Sequence, residues 1–166
     1  MEDVGLSGVS LALSLHAVDD ATRSKLVPLN DQFNIAAVLN ACQAYLKANP
    51  RPERITFEFF DGRIRYVMLE DVNDSLEEAR KLVKLLKPFS AEGQAHVNLI
   101  PFNPWPGSQY TTSSAFVVEE FAAILRKARI PVNIRTPRGR DILAACGQLR
   151  SSKTLKRSAD VRSAEN

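Results

Sequence analysis

Apolar residues in this chain change period as the sequence proceeds, from unbroken runs to three-and-four spacing and back, and no other feature restricts its fold as strongly. VSLALSL (residues 9–15) is a short continuous run of the kind buried on both faces of a parallel sheet. Ile35, Val38, Leu39, Cys42 and Leu46 then form one helical stripe, with Asn34 placed to cap it. RITFEFF (54–60) reads as a second strand. Ser75 and Glu78 have capping-box spacing ahead of Leu76, Ala79, Leu82, Val83 and Leu86, and Pro88 is expected to stop that helix. AHVNLIPF (95–102) is a third buried strand. Val117, Phe121, Ile124, Leu125 and Ala128 mark one side of a third helix, and PVNIR (131–135) returns as a strand.

The order β-α-β-α-β-α-β predicts an α/β fold with a parallel sheet and helices packed outside it, either open and doubly wound or part of a β/α barrel. At 166 residues and 45% hydrophobic, the chain suffices for one core. No apolar run is long enough to cross a bilayer. The N-terminus opens acidic and lacks the basic region of a secretory signal. Two cysteines, Cys42 and Cys146, are too few for a disulfide framework or a four-thiolate metal site, which suits a reducing compartment. A net charge of +3 permits nucleic-acid binding without requiring it. From Ser151 onward the chain is basic and polar, so residues 1–150 read as the domain and 151–166 as a disordered tail.

Parallel β/α folds gather their sites at the carboxyl ends of the strands. Ser14-Leu15-His16 ends the first strand, Asn73-Asp74 follows Leu69, and Asn103-Pro104-Trp105-Pro106-Gly107 follows the third strand. Arg135, Arg138, Arg140 and then Cys146 follow the fourth. Each has a plainer reading too. His16 could be a satisfied structural histidine, NPWPG a rigid turn, Asn73-Asp74-Ser75 a helix entry, and the arginines a solvated loop rather than a phosphate-binding cluster. Cys42 lies on the apolar stripe and reads as core packing. Cys146, between Ala145 and Gly147, has nothing bulky to shield its sulfur; the residues alone leave it open between a buried small hydrophobe and a presented thiol.

Four stretches narrow these choices. LALSLHAVDDATRSKLVPLN, YVMLEDVNDS, HVNLIPFNPWPGSQY and RTPRGRDILAACGQL together resemble the back half of the radical-SAM adenine C2 methyltransferases. This is the family of ribosomal RNA large subunit methyltransferase N and the chloramphenicol–florfenicol resistance methyltransferase. The resemblance runs in order from about Val9 to Leu149. It implies the C-terminal portion of a partial β/α (radical-SAM) barrel that uses S-adenosylmethionine and a [4Fe-4S] cluster. It also implies methylation of C2 of an adenosine in 23S ribosomal RNA and, in bacterial members, transfer RNA, with an electron donor for the cluster and no membrane. By resemblance, Ser14, Leu15, His16 and Asn103 contact S-adenosylmethionine, and Cys146 carries the methyl group as S-methylcysteine. Adenine C2 is an electron-poor carbon, so a radical route is needed there rather than simple displacement. Arg135, Arg138 and Arg140 are candidates for RNA contact.

The family's CxxxCxxC cluster motif is absent from this chain, as are its resolving cysteine and N-terminal RNA-binding region. The chain therefore reads as part of a longer protein, unable by itself to perform the radical step. The alternative is an inactive truncated homologue or RNA-binding remnant. Residues 59–65 (FFDGRIR) read as an insertion into the family's second strand here, with Asp61-Gly62 as a tight hairpin. Arg140 and Leu143 stand where the family usually has aspartate. A bacterial member would be cytoplasmic, a eukaryotic one plastid or mitochondrial.

Overall fold

The computed structural model describes residues 11–48, 63–90 and 95–135. Four strands, β1 (Ala12–Ser14), β2 (Arg63–Met68), β3 (His96–Pro101) and β4 (Val132–Ile134), form one sheet in the order β1-β2-β3-β4. Every pairing is parallel. Helix α1 (Asp20–Leu26), a 3-10 turn (Pro28–Asp31) and α2 (Ile35–Ala48) follow β1. Helix α3 (Leu76–Ser90) links β2 to β3, and α4 (Ala115–Lys127) links β3 to β4.

That strand order decides between the two architectures left open by the sequence. A doubly wound sheet reverses direction at a switch point, whereas here each crossover advances the sheet by one strand in the same sense. Same-handed crossovers in one direction place their helices on one face, the winding of a β/α barrel wall.

The helix entries follow from local chemistry. Asp19 accepts from the Thr22 amide at 2.8 Å, Asn34 from Ala37 at 2.8 Å, and Ser114 from Val117 at 3.2 Å. Each satisfies one of the otherwise orphaned first-turn donors. At α3, Ser75 Oγ accepts from the Glu78 amide at 3.1 Å. The Glu78 carboxylate does not complete the box; it turns to Lys81 instead, at 3.5 Å. Helix α4 ends in a Schellman arrangement. Ile130 N–H reaches Leu125 O at 3.1 Å and Arg129 N–H reaches Arg126 O at 2.9 Å, with Arg129 at φ 61° where glycine is usual.

Leu15, Tyr66, Met68, Leu82, Leu86, Val97, Leu99, Phe121 and Leu125 are fully buried between the sheet and the helices. Tyr66 packs its ring on Phe121 with centroids 5.5 Å apart. Cys42 is half-buried against this core, as its stripe predicts, and burial pushes its thiol pKa up.

Three expectations are corrected, and a fourth stretch is located. Helix α3 does not stop at Pro88 but runs through it to Ser90. A proline so close to a helix end forfeits little, since few backbone bonds remain beyond it. Leu76 is 38% exposed rather than core. On α4 the innermost valine is Val118, with Val117 half-buried beside it, because the helix presents Val118, Phe121, Ala122 and Leu125 to the sheet. Arg63, Ile64 and Arg65, the end of the 59–65 stretch, are sheet residues. They pair in register with Ala12–Ser14 on one side and with His96, Val97 and Asn98 on the other, and Ile64 is buried. Residues 54–60, Asp61-Gly62 and the tail from 151 lie outside the described residues.

Candidate cofactor site at the carboxyl rim

The four strands end together on one rim, and the loop after β1 is the most heavily fastened part of it. Leu15 N–H donates to Arg65 O at 3.1 Å, and Leu15's side chain fills the core. The chain then turns sharply: His16 adopts φ 60°, a left-handed conformation costly for a residue with a Cβ.

Two buried polar side chains hold that turn. Arg23, on α1, is 4% exposed. Its guanidinium donates to Leu15 O at 3.1 Å, Ser14 O at 3.3 Å, Phe33 O at 3.1 Å and Asn30 Oδ1 at 2.6 Å. The planar fork suits this, because its donors diverge toward several oxygens at once. Asn73, in the loop after β2, is completely buried. Its carboxamide N–H groups donate to His16 O at 2.8 Å and Val67 O at 2.7 Å, and its Oδ1 accepts from Leu69 N–H at 2.8 Å. The Tyr66 hydroxyl closes the group by donating to Asn73 O at 2.9 Å.

The His16 ring is fixed as well. Its Nδ1 accepts from Val67 N–H at 3.1 Å, so the proton of the neutral imidazole resides on Nε2. Burial lowers the His16 pKa, and the positive charges of Arg23 and Arg65 lower it further. His16 is thus a neutral ring at physiological pH, with an Nε2–H donor that has no partner among the described residues.

Asn103 begins the loop after β3. It is half-buried, and its carboxamide makes no hydrogen bond among the described residues. The loop beyond it is built. Ser108 N–H donates to Trp105 O at 2.9 Å across Pro106-Gly107, and Gly107 has φ 89°. Proline then glycine at these places is the pattern of a type II turn, as the sequence reading expected of NPWPG. Phe102 sits between Trp105 and Tyr110, with centroids at 5.2 and 6.3 Å and steep interplanar angles. Thr112 Oγ1 donates to Phe102 O at 2.7 Å, and Phe102 N–H to Met68 O at 3.2 Å, tying this loop to the end of β2. Arg135, exposed at the end of β4, donates its N–H to Leu99 O at 2.8 Å.

The fold thus brings Ser14, Leu15, His16, Asn103 and Arg135 to one rim. Arg138, Arg140 and Cys146 lie outside the described residues. The Ser14 hydroxyl, the His16 Nε2–H and the Asn103 carboxamide have no hydrogen-bond partner among the described residues. β1 and β3 are two strand spacings apart, about 10 Å, so the rim offers donors and acceptors on the length scale of a nucleoside. These residues fit an adenosyl ligand. For a metal cluster there is no such fit: among the described residues no group of three or more His, Cys, Asp or Glu could hold an ion.

In the sequence Arg23 carries no mark of this role, and Asn73 falls on the expected rim with a helix entry as its plainer reading, without a sign of its tie to His16. One signal was available for Asn73: Ser75 already caps α3, so an asparagine two residues earlier has no helix-entry role to fill. A separate cleft of about 520 Å³ lies between the loop after β2 and the start of α4. Glu70, Asp71, Asp74, Glu78 and Glu120 line it with Phe116, the wrong sign for a nucleic acid. Among the described residues no helix is long and apolar enough to cross a membrane.

No family model matches the chain. It is similar over 92% of its length to the dual-specificity RNA methyltransferase RlmN of Parvibaculum lavamentivorans, at 51% identity over 153 residues covering 35% of that protein. The RlmN of Bradyrhizobium sp. (strain ORS 278) is 54% identical over 157 residues, 95% of this chain and 36% of that protein. The chain spans about a third of the length of the curated relatives it matches. A radical SAM methyltransferase from Sphaerobacter thermophilus superposes with a TM-score of 0.72 at 41% identity, over 85% of this chain and 38% of that one. A domain of pyruvate-formate lyase-activating enzyme from Bacteroides vulgatus superposes with a TM-score of 0.52 at 17% identity, a likeness of fold.

Proposed function

We propose that this chain, which resembles the radical-SAM adenine C2 methyltransferases in sequence and shares their partial β/α barrel fold, supplies the S-adenosylmethionine-binding rim and the methyl-carrying cysteine of an RNA methyltransferase. The substrate is C2 of an adenosine in 23S ribosomal RNA, and in transfer RNA as well, in line with the dual specificity named for the relatives. The carrying observation is the rim itself. Residues matching the family's cofactor contacts, Ser14, Leu15, His16 and Asn103, fall at the carboxyl ends of adjacent-but-one strands, and the Ser14 hydroxyl, the His16 Nε2–H and the Asn103 carboxamide have no partner among the described residues.

The chain's own residues do four things in this reading. Leu15 anchors the β1 turn in the core. His16 donates from Nε2 to a ligand oxygen or nitrogen. Asn103 offers both a donor and an acceptor from the facing loop. Arg135, with Arg138 and Arg140, offers charge to RNA phosphates. Bound S-adenosylmethionine, working with a reduced [4Fe-4S] cluster and its electron donor, supplies the methyl group and the radical that an unreactive aromatic carbon requires. The sequence holds two cysteines, so the cluster's ligands are not among its 166 residues. The alternating strands and helices fit a domain of residues 1–150 followed by a basic tail, and a bacterial chain of this kind works in the cytoplasm.

The test is mass spectrometry on the protein from its native host. An S-methyl group on Cys146, in the tryptic peptide of residues 141–150, together with peptides carrying cluster cysteines from the same polypeptide, supports the reading. An unmethylated Cys146 in a protein without such peptides overturns it and leaves the RNA-binding remnant.

A further inference from the structure

Asn73 belongs to no motif that implies a role in the reaction, yet its carboxamide contacts His16, a rim residue whose backbone is strained at φ 60°. We propose that Asn73 is a positioning residue: by holding the His16 carbonyl and the Val67 carbonyl together, it sets the His16 ring with Nδ1 consumed by the Val67 amide and Nε2–H presented to the ligand. The proposal rests on the cofactor-site reading for what that donor serves.

The geometry leaves little freedom. The donor pair of Asn73 spans from His16 O, at 2.8 Å, to Val67 O, at 2.7 Å, so one planar amide fixes the separation of the two chain segments. Val67 is also the residue whose amide reaches His16 Nδ1, at 3.1 Å. Residue 67 is therefore held from its carbonyl by Asn73 and holds His16 from its amide. The left-handed φ of His16 persists because both its carbonyl and its ring are tied down. An aspartate has the shape of asparagine but no N–H; facing two carbonyl oxygens it repels what the amide binds. A purely structural asparagine need not govern a histidine tautomer, and that is the distinguishing consequence.

Nitrogen-15 NMR of the imidazoles reads it directly in the full chain, with His16→Gln assigning the His16 signal against that of His96. In the unsubstituted protein near neutral pH, Nδ1 of His16 is bare and Nε2 protonated. In Asn73→Asp that signature gives way to mixed tautomers, and affinity for S-adenosylhomocysteine falls tenfold or more. Tyr66→Phe, which removes a bond to the Asn73 backbone and spares the carboxamide, lowers stability and leaves the His16 signature in place. A His16 carrying its proton on Nδ1 in the unsubstituted protein overturns the proposal. So does a folded Asn73→Asp with unchanged signature and affinity. If Asn73→Asp does not fold, a signature displaced by Tyr66→Phe overturns it, because the ring then follows general stability, and one retained supports it. An unsubstituted protein with the expected tautomer that does not bind S-adenosylhomocysteine refutes the cofactor-site reading and leaves the positioning intact.

Discussion

The carboxamide of Asn73 donates to the carbonyl of His16 at 2.8 Å, joining residues 57 apart in sequence and closing the seam between the ends of β1 and β2. Around that bond the rim is assembled from groups whose hydrogen-bonding capacity is nearly spent, while the Ser14 hydroxyl, His16 Nε2 and the Asn103 carboxamide stay uncommitted among the described residues. Residues that build the turn and residues that face the ligand are therefore separable by substitution.

Tyr66→Phe tests the building side. The hydroxyl is fully buried and donates to Asn73 O at 2.9 Å, so its removal strands a buried carbonyl. Burial drives the phenol pKa far upward, which keeps the hydroxyl a neutral donor across the working range. The variant should lose about 1–3 kcal/mol in chemical denaturation, with an unchanged denaturant slope.

Arg23 is the second builder. Arg23→Lys keeps the charge but replaces a fork of donors by a point charge on a flexible stem, which cannot reach Ser14 O, Leu15 O, Phe33 O and Asn30 Oδ1 together. We expect it to destabilise by about 2 kcal/mol or more in the same measurement. A loss below about 0.5 kcal/mol, typical of neutral surface changes, would show that the guanidinium does not anchor this turn.

How legible these features were in the sequence depended on their range. The strand–helix alternation reported itself because burial on one face of a helix repeats locally, and the NPWPG turn did because proline and glycine fix their own φ. The sheet order and the roles of Arg23 and Asn73 are long-range. Arg23 looks like an ordinary helix arginine until Asn30 and the Ser14–Leu15 carbonyls meet it. Likewise Leu76, on the apolar stripe of α3, faces an acidic cleft because no element covers that end of the helix among the described residues.

His16 should make stability depend on pH with a definite sign. Its folded pKa is depressed by burial and by Arg23 and Arg65, so between about 6.5, the ordinary imidazole value, and the lower folded value the unfolded chain binds more protons. Stability is thus fully present above about 6.5 and falls as the pH drops through that window. His16→Gln should flatten the stability curve there. An equal slope in both proteins would mean that His16 titrates normally in the fold.

Arg129 offers a stabilising change. It occupies the left-handed position after α4 that glycine fills without a Cβ penalty, while Ile130 beyond it is buried. Arg129→Gly relieves roughly 1 kcal/mol of backbone cost, partly offset by the greater freedom of glycine in the unfolded chain. The expected result is a small rise in melting temperature with no change in ligand affinity, since the helix end is remote from the rim's uncommitted groups.

Asn103 tests the ligand-facing side, and the logic reverses. Its carboxamide makes no hydrogen bond among the described residues, so Asn103→Ala removes no bond seen in the fold and should change stability by less than about 0.5 kcal/mol. If the rim holds an adenosyl ligand, the same substitution removes one hydrogen bond made only to that ligand, worth about 0.5–1.5 kcal/mol, or about two- to thirteenfold in affinity. Calorimetric titration with S-adenosylhomocysteine beside a denaturation curve measures both. Stability held with affinity lost assigns Asn103 to the ligand. Stability lost with affinity held would make it part of the scaffold after all, and the loop after β3 would then have no demonstrated ligand-facing polar side chain.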